Sequence, residues 1–114
     1  MNDNITISED VVVTIANIAA KEVKGVASLH AGVVDTILDK VRGNWSGGVS
    51  AVVSENNILI SVIVNIIYGE KIYEVAKNIQ ENIKNAVESM TEKKVAEVNV
   101  HVHSVVIVPE KAEK

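Results

Sequence analysis

The stretch Asn56 to Gly69, NNILISVIVNIIYG, is apolar at almost every position. Read by alternation, Ile58, Ile60, Val62, Val64, Ile66 and Tyr68 fall on one side. Leu59, Ile63 and Ile67 fall on the other, interrupted by Ser61 and Asn65. A strand packed by one face reads apolar-in and polar-out; this one asks for cover on both. VSAVV before it supplies the other arm of a hairpin turning at Glu55–Asn57, where asparagines favour turn geometry. After it, Ile72, Val75, Ala76, Ile79, Ile83, Ala86, Val87 and Met90 hold a helical stripe for about five turns. Lys77/Glu81 and Lys84/Glu88 form i,i+4 pairs on its wet side.

The flanks read as clearly. Ser8 stands at a helix start with Glu9 and Asp10 behind it, where the helix dipole favours anions. Val12, Ile15, Ala16, Ala19 and Val23 line one face, and Lys24–Gly25 marks the stop. GVASLHAG is a short strand. Residues 33–42 carry a stripe of Val33, Val34, Ile37, Leu38 and Val41, which predicts a short helix, and Gly43 to Gly48 a mobile loop. In KKVAEVNVHVHSVVIVP, Val98, Val100 and Val102 alternate with Glu97, Asn99, His101 and His103. The order is helix, strand, short helix, hairpin, long helix, strand. A right-handed crossover makes the last strand parallel to the 56–69 strand. The expected fold is α+β: a two-layer sandwich with a mixed three- to four-stranded sheet and two main helices on one face. It forms a single domain over 1–109, with 110–114 a solvated tail.

Length and composition narrow the function. At 114 residues the chain buries enough surface to need no staple, and without cysteine it has neither disulfide nor thiolate chemistry. A net charge of −4 and the scarcity of aromatics (3%) argue against nucleic-acid binding. No signal peptide and no membrane span is legible, so the expected location is cytoplasmic, with any membrane association through a partner and no direct insertion.

Several ordered segments resemble the alkaline shock protein family, the cell-envelope stress response proteins of Gram-positive bacteria. ISEDVVVTIANIAAKEVKGVASL is similar to the family's opening helix, and AGVVDTILDKVRGNWSGGVSAVV to its glycine-flanked variable middle. The most specific part holds Tyr68 and Gly69 before the long helix, Gln80 on it, and the Val-Asn-Val-His-Val strand from Val98 to Val102. Two departures stand out. Glu92 follows Thr91 where the family often has glycine, and the strand before Tyr68 lacks the family's usual charge. The resemblance implies an abundant, non-enzymatic cytosolic protein of envelope homeostasis that self-assembles and docks onto a small membrane-anchored partner.

The residues themselves carry few chemical sites. His101 and His103, two apart on a strand, project one way and can reach one metal, with Glu97 or His30 as a third ligand, but no metal-site spacing accompanies them. Two solvated histidines are the simpler reading, and a small metal- or ligand-binding regulatory module is the alternative function. The glycine loop lacks the lysine of a phosphate loop, and no nucleophile constellation suggests catalysis. No cofactor is expected. The interaction candidates are Leu59, Ile63, Ile67, Val105 and Ile107 on the uncovered sheet face, and Trp45, which serves as a contact or a lid. The short helix at 33–42 is the competing cover for that face. On the interaction reading, Ile63→Lys converts an oligomer to a monomer with helix content intact.

Overall fold

The computed structural model describes residues 5–31 and 45–108. The helix expected at 33–42 and the tail at 110–114 lie outside them. Helix α1 spans Glu9–Lys21 and helix α2 spans Ile72–Thr91. The strands are β1 (Val26–Leu29), β2 (Trp45–Ser46), β3 (Val49–Val53), β4 (Asn57–Ile67) and β5 (Lys94–Val106). They form one mixed sheet, one strand larger than expected because Trp45–Ser46 pairs with β3. Gly47 and Gly48, at φ 60° and 87°, make the tight turn between β2 and β3. Consecutive positive φ is what a two-residue hairpin needs, so this part of the expected mobile loop is sheet.

Strand β4 is central. Its whole length pairs in parallel with β5. Its other side is shared end to end: β3 pairs antiparallel with residues 58–62, and β1 antiparallel with residues 64–66. The 53–58 hairpin closes as expected, with Ser54 donating to Asn57 Oδ1 at 2.9 Å.

Both helices cover one sheet face, α1 over β1 and β3 and α2 over β5, and they pack on each other. Ile58, Ile60, Val62, Val64 and Ile66 of β4 face them and are buried with Val12, Ala16, Ile79, Ile83 and Val87. Each such isoleucine stabilises the fold by about 2 kcal/mol through burial. Ala16, Ala19 and Ala20 keep α1 thin enough for close approach. Asn82 of α2 donates to the Ala19 carbonyl at 2.8 Å, near the end of α1. The buried stripe of α2 is Val75, Ile79, Ile83, Val87 and Thr91, whereas Ile72 and Met90 at its two ends are exposed. Helix α1 stops three residues before Lys24; Ser8 makes no side-chain cap bond. Glu9 instead accepts from the Val53 amide at 3.4 Å.

The departure at Glu92 has a structural meaning. Glu92 closes α2 in the left-handed region, at φ 61° and ψ 22°, and its amide donates to the Glu88 carbonyl at 2.9 Å. A Cβ is unfavourable there and glycine is the usual solution. Glu92→Gly is therefore expected to stabilise the protein by about 0.5–1 kcal/mol, read as a raised urea midpoint at unchanged m.

Candidate functional site

The sheet face away from the helices is more polar than the β4 sequence suggests. Partners in register present their side chains together, so Ser50, Ser61 and Asn99 form one row and Val52, Leu59 and Glu97 another. Next to them, Asn65 ties three strands together. Its Nδ2 donates to Ser28 Oγ of β1 at 3.0 Å, and its Oδ1 accepts from Ser104 Oγ of β5 at 2.7 Å. The two polar interruptions in the β4 pattern thus sit among polar neighbours.

Ile63 is the joint of this face. Its carbonyl accepts from the His30 amide at 2.8 Å, and its amide donates to the Gly48 carbonyl at 2.9 Å. His30, just past β1, and Gly48, just before β3, are therefore held by one β4 residue. Ile63 is only 2% exposed and stands outside the helix-side core cluster. It is covered on the outer face by the molecule's own chain, which corrects its place in an exposed patch.

The other candidates separate. Leu59 is 38% exposed on the outer face and Ile67 is half-buried. Val105 belongs to the opposite side: a register shift at His103 places it level with Ile66, not Ile67. The extra residue reverses the alternation beyond it. Ile107 lies past the end of β5 and is 78% exposed. Trp45 pairs with Ser50, is half-buried, and its indole N–H is buried with no partner among the described residues.

Of the histidines, the structure brings together His103 and His30, one of the two third-ligand candidates. His101 is level with Ile63, while the ring of His103 stacks on His30 with centroids 3.9 Å apart and planes at 26°. Imidazole lone pairs lie in the ring plane, so those of stacked rings run side by side instead of converging on one ion. Among the described residues no three His, Cys, Asp or Glu side chains are grouped to hold a metal.

Two features remain open to a partner. The first is the end of the sheet where β4 and β5 finish and α2 begins. Tyr68, Ile72, Tyr73, Val105, Ile107 and Val108 are all exposed there, Tyr68 by 70% and Tyr73 by 90%. The Tyr68 amide donates to the Val106 carbonyl at 2.8 Å, which holds this end together. The second is the edge of β5 away from β4, which no other described strand pairs. Glu88 of α2 accepts from the Val95 amide at 2.9 Å, and Gln80 donates to the Val98 carbonyl at 3.0 Å. The helix thereby satisfies the first part of an unpaired edge, and sequence patterning gives no sign of either bond.

The whole arrangement has relatives. The family model of the alkaline shock proteins, described as having a "cell envelope-related function", matches residues 1–107. The chain belongs to the alkaline shock protein family. Proteins similar to this chain include YqhY of Bacillus subtilis, titled uncharacterized, which is 31% identical over 99 residues, covering 86% of this chain and 73% of that one. Spy1614 of Streptococcus pyogenes, also titled uncharacterized, is 33% identical over 109 residues, covering 93% and 90%. Among solved structures, a MamM CTD variant superposes with a TM-score of 0.50 at 17% identity over 83% of this chain and 93% of that one. A copper form of a MamM CTD variant gives the same score and identity, covering 83% and 95%. At that identity the likeness is one of fold. The alkaline shock protein resemblance read from Tyr68, Gly69, Gln80 and Val98 to Val102 thus falls on the open end and the β5 edge. No helix among the described residues is long and apolar enough to cross a membrane.

Proposed function

We propose that the chain is a non-enzymatic interaction protein of the envelope stress response, which self-associates and docks onto a membrane-anchored or cytosolic partner. The observation that carries this reading is the gathering of exposed apolar side chains at the open end of the sheet. Six such side chains around one strand end offer a patch of the kind that marks protein contacts. Family membership supports the envelope setting.

Light scattering tests it. The wild type should scatter as an oligomer, and Tyr68→Lys/Ile107→Lys should scatter as a smaller species with unchanged helix content. Both positions are exposed, so the fold should move by no more than about 0.5 kcal/mol each. A monomeric wild type removes the self-association reading. A pull-down from envelope fractions, with the double variant as control, tests the docking half.

The second reading is a transition-metal module. Its support is the meeting of His30 with His103 and the copper, zinc and nickel forms in which MamM CTD variants were solved. The stacked geometry weighs against it. Zinc titration by calorimetry is expected to give no heat beyond dilution; saturable binding lost in His30→Ala/His103→Ala would reinstate the metal reading.

A further inference from the structure

The first part of the β5 edge is occupied by its own helix, and among the described residues none pairs with the part beyond Val98. The N–H and C=O of one strand residue point the same way, and the direction alternates along the strand. The Val95 amide and the Val98 carbonyl both turn to α2 side chains and away from β4. Between the register shifts, Val98, Val100 and Val102 therefore direct their backbone groups outward. Their side chains face the helix layer, yet all three are only half-buried, whereas Val95 is buried. The apolar layer is open along this edge.

We infer that a second copy of this chain closes the edge, β5 against β5 antiparallel, on a twofold axis at Val100. This rests on the self-association proposed above and names its surface. The strand is its own complement. With the axis at Val100, Val98 lies opposite Val102 of the copy, and Val100 opposite itself, so the half-buried valines cover each other; the Val98 carbonyl has two lone pairs and takes the copy's Val102 amide beside Gln80. On the other face Asn99 meets His101, and Glu97 falls at the rim of the pairing, since the ring of His103 is engaged with His30. An acidic or wholly polar strand would match one face and not the other. The two sheets then run on as one, with both α2 helices on the same side.

The absence of cysteine makes the test clean. Directly opposed residues of a hydrogen-bonded antiparallel pair have Cα atoms about 5.5 Å apart, within disulfide reach. Val100→Cys in the full chain, treated with a mild oxidant, should give a covalent dimer at least about tenfold faster than Ser54→Cys on the exposed 53–58 turn, because pairing raises the effective concentration. Circular dichroism confirms that each variant is folded. As a second measurement, Asn99→Cys should cross-link to His101→Cys when the two chains are mixed, faster than either does alone. An assembled wild type in which Val100→Cys cross-links no faster than Ser54→Cys overturns the edge assignment and leaves the self-association reading standing. A wild type that is monomeric by light scattering overturns both.

Discussion

Replacing Ile63 by lysine is expected to unfold the protein, not to dissociate an assembly. Ile63 is 2% exposed, and both of its backbone groups are engaged, one by His30 and one by Gly48. The side chain has no water to reach and no anionic neighbour in the described rows of the outer face except Glu97, one row beyond that of Ser61. An unpaired buried ammonium costs about 3–5 kcal/mol, and the lost isoleucine burial adds about 2. Against a domain stability of roughly 5–15 kcal/mol, that removes most of the margin. Urea titration should show a midpoint near zero denaturant, with helical ellipticity lost alongside. Native-like ellipticity with a reduced particle mass would refute the burial argument and restore Ile63 to the contact surface. Ile63→Val, which keeps the side chain apolar, should cost only about 1 kcal/mol.

The second large effect belongs to Gly48→Ala. Gly48 sits at φ 87°, and a Cβ built there would lie 2.7 Å from the His30 carbonyl oxygen. That oxygen is backbone and cannot swing aside, so the hairpin or the β1 exit must shift. Left-handed strain of about 1–2 kcal/mol adds to the clash, for a total of about 3 kcal/mol. The melting temperature should fall by roughly 10 °C or more. Gly69→Ala is the matched control. Gly69 has a similar φ of 102°, but nothing lies within 4 Å of its Cβ position. It should show the strain alone, so the difference between the two variants measures the contact. Equal losses would mean that His30 and Gly48 are not pressed together.

Much of this fold can be read from the pattern of residues. The stripe on α2 follows from Val75, Ile79, Ile83 and Val87 recurring every fourth position. The parallel pairing of β4 with β5 follows from the crossover rule. The turn follows from its asparagines. What the pattern does not carry has one main physical source. A register shift is a backbone event with no side-chain signature, and the two in β5 change which way later residues point. That is why alternation alone puts Val105 on the wrong face. The excess of apolar residues on β4 does signal a need for cover on both sides. It does not say that the cover at Ile63 comes from within the molecule, nor that Ser61 and Asn65 sit in polar rows. The Gly47–Gly48 pair is a legible hairpin signal that reads as a loop only when Trp45 and Ser46 are not counted as strand. The exposed end at Tyr68 and Ile107 is half visible, through Ile107 alone. Gln80 enters the sequence reading only as part of a resemblance, and the structure gives it work at the Val98 carbonyl.

The clasp at Ile63 has an evolutionary corollary. Because His30 and Gly48 are held by the carbonyl and amide of one residue, these two positions stay close whatever sequence joins them. Lengthening a closed loop is thermodynamically gentle, about 0.6 kcal/mol for each doubling. The interval between His30 and Trp45 is thus where this architecture can accept foreign sequence, grow an appendage or be tagged, while β1, β2 and β3 keep their partners.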